Sequence, residues 1–419
     1  MVLDRVSKFT LFLAPTGIFF LPLSALGSFR AFYIPLVILN AWAIARLSAR
    51  QLAEFGVLLL IAAVFWASAS YGYVSFVLIP EGLSSNPFVR WLVIVNLMFG
   101  FYFIGCWLSE ARNSEEWFAR LDFSYRGFVL VFLLGFVLYA GVVFGPVPAT
   151  LYEHVVTVEQ SAFGYLRFSP GTYPNEFGTL CSFFALFALI KNSRQGGTAS
   201  LLVALMALIG IALASTRSAY VTLIVGVLIV LVGIPSLKRR TQIMGAILFA
   251  IPLGLLLLNF LGFNFLAVLK GGFDAALNPN QGSLGERLQG WASAASQFVN
   301  FPFLGFGFES PNISFLHNLF LQEIFGLGLV GCALLILLSM AFWVLRKTNL
   351  DKTFECSSFS EERYVFLIRI IALEHTVLFG LNNHNQSHFL TWLTFALFVS
   401  NMTVDLGGKI ALSQAKGRR

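Results

Sequence analysis

Long apolar runs separated by short polar connections set the layout of this chain. Runs suited to crossing roughly 30 Å of hydrocarbon fall near 9–26, 31–45, 55–79, 91–108, 127–145, 176–190, 199–214, 218–236, 244–264, 317–345, 364–382 and 388–406. They predict an all-α polytopic membrane protein of about twelve transmembrane helices, forming one membrane domain over 1–419. The first run has no small-residue cleavage site after it and reads as a retained span.

Two polar connections are long. Residues 146–175 end in the turn-rich stretch Ser169-Pro170-Gly171-Thr172-Tyr173-Pro174-Asn175. Residues 265–316 hold a segment, 285–298, in which Leu288, Trp291, Ala295 and Phe298 recur with helical spacing. That pattern predicts a short amphipathic helix lying against the membrane face.

Composition strengthens this reading. Hydrophobic residues make up 58% of 419 positions and charged residues 11%, with a mean hydropathy of +0.80. A soluble domain carries about a quarter charged residues. With the N-terminus inside, twenty of the 27 Lys and Arg fall on inward segments. Arg30, Arg90, Arg167, Arg217, Lys270 and Arg287 fall outside, and Arg369 lies within a span. This bias fits the positive-inside rule with both termini cytoplasmic. The net charge of +7 then reflects anchoring against anionic membrane lipid, with no nucleic-acid partner. The four cysteines show neither metal-site nor disulfide spacing and read as buried thiols.

Candidate chemistry lies at the outward ends of the runs. Arg217, in Ser215-Thr216-Arg217-Ser218, sits between two spans with almost no loop, at the mouth of the bundle. Its guanidinium is a permanent fork for phosphate oxygens. Arg287 lies on the amphipathic segment beside Glu286. His317 opens a span with Asn318 beside it, and Asn312 or Ser314 is available as a helix cap. A helix N-terminus keeps a histidine neutral and able to accept a proton. Asn318 and Gln322 fall on one helical face and are suited to orienting a polar ligand. His384 and His388, in the outward turn before the last span, are rival bases, and without an acidic cluster beside them no metal site is expected. Glu374 and His375 lie within a span and read as a buried structural pair, while Arg369 snorkels toward the inner face.

Three stretches together resemble the O-antigen ligases and O-antigen polymerases, integral membrane glycan transferases of bacterial surface polysaccharide assembly. They are Ser215-Thr216-Arg217-Ser218-Ala219-Tyr220; Arg287 with Trp291 and Phe301-Pro302-Phe303-Leu304-Gly305-Phe306-Gly307; and His317-Asn318 followed after nine residues by Gly328 and Gly331. The resemblance implies an inner-membrane enzyme whose active face is periplasmic, built from 146–175 and 265–316. It would transfer glycan from an undecaprenyl-diphosphate carrier to a sugar hydroxyl, inverting the anomeric centre, with no metal or other cofactor. Arg217 and Arg287 would clamp the diphosphate, His317 would act on the acceptor hydroxyl, and Arg167, Asn175, Asn318 and Gln322 would contact substrate. The acceptor would be a glycan in a polymerase or lipid A-core in a ligase, with room for a chain-length regulator or other assembly partner. Arg167-Phe168-Ser169-Pro170-Gly171-Thr172-Tyr173-Pro174-Asn175 and the compact connection from Arg287 to His317 favour the polymerase. A flippase for lipid-linked oligosaccharides is the alternative from another class. Such transporters usually show internal repeats, and none is evident here.

Overall fold

A computed structural model describes residues 2–16, 32–76, 86–145, 159–160, 166–170, 173–234, 236–238, 240–241, 244–245, 252, 256, 283–308, 310, 316–348, 359–383 and 388–400. Among them the principal helices are α1 (Val2–Leu13), α2 (Tyr33–Ile44), α3 (Ala49–Phe76), α4 (Pro87–Ser109), α5 (Ser114–Val143), α6 (Pro174–Gln195), α7 (Thr198–Ala214), α8 (Arg217–Gly233), α9 (Ser283–Phe298), α10 (Leu319–Thr348), α11 (Phe359–Asn382) and α12 (Phe389–Val399). A two-residue antiparallel ladder pairs β1 (Glu159–Gln160) with β2 (Leu166–Arg167). Five helices, within α3, α4, α5, α10 and α11, are long and apolar enough to cross a membrane. Exposed apolar side chains such as Val74, Val137 and Leu337 cover their outer surfaces, which suits hydrocarbon rather than water. The chain is an all-α, multi-pass membrane protein.

Helix boundaries follow capping chemistry as much as hydropathy. The span expected from 127 is the second half of a helix that starts at Ser114. Asn113 caps it by accepting the Glu116 amide at 2.9 Å, and ion pairs of Glu116 with Arg120 and of Asp122 with Arg126 let its polar first turns stay helical. Of the expected span 388–406, Phe389–Val399 is helical and 401–406 lies outside the described residues. Most of 9–26 and 244–264 lies outside the described residues.

Helix α6 is the axis of the bundle. It packs against α7, α8 and α11, and nearly all its side chains between Pro174 and Ile190 are buried. A helix surrounded by protein can carry Glu176, Thr179 and Ser182, because neighbouring helices rather than lipid meet them. His375 of α11 shows how: its Nε2 lies 2.8 Å from Ser182 Oγ, which accepts from Thr222 Oγ1 of α8 at 3.1 Å. His375 is thus a structural tie at the centre of three helices, and its Nδ1 also meets Glu374, the partner expected for it, at 2.5 Å.

The inward-assigned end of the bundle is held by charge. Buried Arg346 of α10 donates to Glu54 Oε2 of α3 at 3.2 Å, to the Val399 carbonyl of α12 at 2.9 Å and to Ser109 Oγ of α4 at 3.4 Å. Tyr102 adds its hydroxyl to Glu54 at 2.9 Å. Arg369, expected to snorkel, instead donates to the Ser400 carbonyl and hydroxyl at 3.2 Å, because the C-terminal carbonyls of α12 offer a closer partner than the headgroups.

Candidate functional site

The other end of the bundle collects the polar residues singled out above, and the chain gets them there by three tight backbone devices. The first is the turn from α7 into α8. Ser215 closes α7 in the left-handed region at φ 51°, its amide bonded to the Ile211 and Ala212 carbonyls. The chain reverses within two residues, so Arg217 becomes the first residue of α8, exposed at the bundle mouth. α6 presses on this turn through Gly178, where a Cβ would stand 2.1 Å from Thr216 Oγ1. Only a residue without a side chain permits that approach.

The second device straps the 166–170 segment across the same turn. Phe168 is fully buried among Phe132, Phe136, Tyr139 and Phe177, and its amide donates to the Leu213 carbonyl at 3.2 Å. Arg167 Nε donates to the Ala214 carbonyl at 2.9 Å, and its terminal nitrogen reaches Asn175 Oδ1 at 3.4 Å. Asn175, in the first turn of α6, passes the connection on to Asn383 Oδ1 at 3.3 Å. Arg167 and Asn175, both expected to contact substrate, are brought together, and much of their hydrogen-bonding capacity goes into holding the 166–170 segment, α7 and the end of α11 in place.

The third device positions His317. Gly328, inside α10, has φ 67° and ψ 179°, and it breaks the helix. The freed backbone groups pair with the 301–307 segment: the Phe306 and Gly307 amides donate to the Phe325 and Gly326 carbonyls at 2.8 and 2.9 Å, while the Leu329 and Val330 amides donate to the Pro302 and Phe303 carbonyls at 2.9 and 3.1 Å. A broken membrane helix is tolerated only where something re-satisfies its backbone, and here Phe301-Pro302-Phe303-Leu304-Gly305-Phe306-Gly307 does so. The segment also docks on α3, where Ser68 Oγ accepts from the Phe308 amide at 3.0 Å and donates to the Gly326 carbonyl at 3.2 Å.

Helix α9 is pinned to the same structure. Trp291 Nε1 donates to the Leu316 carbonyl at 2.7 Å, and Ala294, Trp291 and Phe298 pack with Leu316, Phe306, Leu321 and Phe325. The amphipathic helix is present, with its buried face rotated from the expected one. Ala294 is buried while Leu288 and Ala295 are exposed, because the docking surface on α10 selects the stripe through 287, 291, 294 and 298. Arg287 shares that stripe, so the packing that buries Trp291 also turns Arg287 inward.

His317 precedes α10 with φ 47°, a rare conformation for a side chain of this kind. Its flanks hold it there: Leu316 through Trp291, Asn318 by donating to the Leu381 carbonyl at 3.3 Å, and Leu319 by donating to the Asn383 carbonyl at 2.9 Å. Asn318 caps α10 by accepting the Leu321 amide at 3.0 Å; Asn312 and Ser314, the caps expected, lie outside the described residues. Partial burial, then the charge of Arg287, push the His317 imidazole below its ordinary value of 6.5. Burial, then the charge of Arg217, likewise lower Arg287. Arg217, Arg287 and His317 therefore share one electrostatic neighbourhood.

The rival bases fare differently. His388 is fully buried and stacked on Phe379 at 4.0 Å between ring centres, so it is withdrawn from the outward turn; His384 lies outside the described residues. Asn383 and Glu176, by contrast, were missed in the sequence. The polar run Asn382-Asn383-His384-Asn385-Gln386 between two apolar spans was the signal for the first. Glu176 is buried in the first turn of α6 and carries no motif. Gln322 is 2% exposed, and neither of its amide atoms has a hydrogen-bond partner among the described residues.

The N-termini of α6, α8 and α10 thus meet at one mouth, with two guanidiniums and a histidine of lowered basicity. Helix N-termini and guanidiniums favour an anion, and a neutral imidazole beside it can take a proton. No curated protein matches the chain. Residues 180–336 match the family model described as O-antigen ligase. That segment carries Arg217, Arg287, His317 and the interlocked glycines, so the part of the chain that builds this site is the part similar to that family.

Proposed function

We propose that this protein is a glycosyltransferase of surface polysaccharide assembly at the periplasmic face of the bacterial inner membrane, one membrane domain of about twelve spans with both termini cytoplasmic. The donor is a glycan on undecaprenyl diphosphate and the acceptor a sugar hydroxyl. The observation that supports this most is the position of Arg287, which feels the charge of Arg217 and in turn acts on His317. A guanidinium placed where the charge of Arg217 weakens its protonated form, as Arg287 is, is unfavourable alone and favourable around a diphosphate.

In this mechanism the acceptor oxygen attacks the anomeric carbon as the carbon–oxygen bond to the diphosphate breaks. The hydroxyl proton passes to His317, and the electron pair leaves with undecaprenyl diphosphate. Arg217 and Arg287 neutralise the charge growing on that leaving group, with no metal or other cofactor. Attack opposite the leaving group inverts the anomeric centre. Arg167, Asn175, Asn318 and Gln322 are assigned to substrate contact, and segments 146–175 and 265–316, partly outside the described residues, are assigned to the active face.

The repeat-unit polymerase is the preferred member, on the Arg167-to-Asn175 stretch and the compact link from Arg287 to His317. The ligase is the second reading, favoured by the description of the matching family model. Surface polysaccharide from a strain lacking the gene, complemented with wild type or His317→Ala, decides between them. Core lipid bearing a single repeat unit marks the polymerase. Bare core with long glycan left on the carrier marks the ligase. A normal ladder with His317→Ala overturns the assignment of the base.

A further inference from the structure

The cationic side of the site explains how a diphosphate is held and leaves open what meets the acceptor. Two amides stand out beside His317. Gln322 is buried to 2% exposure, and both its Oε1 and its Nε2 lack hydrogen-bond partners among the described residues. Asn383 gives its Oδ1 to Asn175 and its carbonyl to the Leu319 amide, while its Nδ2 is buried with no partner among the described residues. Burying an amide with its hydrogen bonds unmade is costly. Two such groups at one helix junction point to a ligand that completes them.

Both face the junction between the start of α10 and the end of α11. Asn318 donates to the Leu381 carbonyl, so its side of α10 faces the end of α11, and Gln322 lies one turn further along that side. Leu319 and Phe320 pack on Gly380, closing the junction from the side. The unmet groups there are two amide NH2 groups and one amide carbonyl, all neutral. An anion would be matched by cations; Arg217 and Arg287 lie on the α8 and α9 side, and Arg167, the guanidinium nearer the junction, donates to the Ala214 carbonyl and to Asn175 Oδ1. A neutral group that donates and accepts at once is a sugar hydroxyl.

Resting on the proposed function above, we propose that Gln322 and Asn383 form the acceptor seat, binding vicinal hydroxyls of the incoming sugar so that the attacking one lies beside His317. The site is then two-sided, with the diphosphate between Arg217 and Arg287 and the acceptor sugar between Gln322, Asn383 and His317. Asn383 is a new substrate-binding residue on this assignment, and Asn175 positions it through its Oδ1.

The test uses full-length protein in nanodiscs, with the strain's own lipid-linked repeat unit as donor and free repeat-unit oligosaccharide as acceptor probe. Gln322→Met keeps the volume and removes the amide. Asn383→Asp keeps the acceptor toward Asn175 and removes the Nδ2 donor. The expected result is an acceptor KM raised at least tenfold in each variant, with binding of undecaprenyl diphosphate unchanged. Gln322→Met should also melt at or above the wild-type temperature, since an unmet buried amide has been replaced by an apolar group. A lower melting temperature for Gln322→Met would mean the amide is paired within the protein, and would overturn the seat. An unchanged acceptor KM, or lost diphosphate binding, would overturn it equally. Wild type that neither binds the lipid diphosphate nor transfers from it would instead remove the proposed function, and with it the seat.

Discussion

Gly305 and Gly328 meet backbone to backbone: a Cβ on Gly328 would stand 2.5 Å from the Gly305 nitrogen, and one on Gly305 2.7 Å from the Gly328 nitrogen. This contact joins the loop after α9 to the break in α10. It is the physical reason that two motifs whose glycines lie 23 residues apart (328 − 305) belong together. Through it the helix bearing Arg287 and the helix begun by His317 form one unit.

Gly328→Ala is therefore expected to be more than a stability defect. Its backbone lies in a region open almost only to glycine, at a cost of roughly 1–3 kcal/mol for other residues, and its Cβ would stand 2.4 Å from the Phe303 carbonyl oxygen. Gly196→Ala is the control, with φ 74° and ψ −176° at the far end of α6 and open space around it. Thermal melts should fall for both variants, and more for Gly328→Ala. Transfer per folded molecule should drop at least tenfold only for Gly328→Ala.

The acid limb of the pH profile should report His317. A base must be neutral to work, so activity is present above its pKa in the folded protein and lost as pH falls through it. Burial and Arg287 place that pKa below 6.5, so kcat/KM should hold at pH 6.5 and decline at lower pH. Removing the neighbouring charge with Arg287→Gln should move the limb of the residual activity upward. A limb that stays in place would separate the two residues.

Arg217→Lys keeps a positive charge at the mouth and replaces a two-pronged fork with a point. Steady-state transfer should fall by at least tenfold, with lipid-diphosphate affinity reduced. Activity within twofold of wild type would remove the clamp.

His388→Phe preserves the stack on Phe379 and removes both ring nitrogens. Transfer should stay within a fewfold of wild type, in contrast to His317→Ala, which should abolish it while leaving diphosphate binding measurable. A dead His388→Phe with a normal melt would return the base assignment to the start of α12.

Arg346→Met should be among the most damaging changes outside the site. It strands Glu54, whose side chain is 1% exposed, and breaking one partner of a buried pair costs about 3–5 kcal/mol. Adding Glu54→Leu should recover much of the loss. Melting temperatures of the two variants in one detergent measure this directly.

Much of this protein was legible in its sequence. Hydrophobic runs determined the helical membrane class because backbone polar groups in hydrocarbon must be satisfied within a helix. Arg217 and His317 were legible because a charged or titratable side chain ending an apolar run is expensive without a task. Tertiary structure alone decided which residues share a neighbourhood. His388 looked as available as His317 until packing laid it on Phe379, and Leu288 looked buried until the surface of α10 chose the stripe through Arg287. Asn383 gained its place from three partners distant in sequence: Asn175, Leu319 and, through Asn175, Arg167. Periodicity reports that a face will be covered, and only the neighbouring helix determines which face and by what.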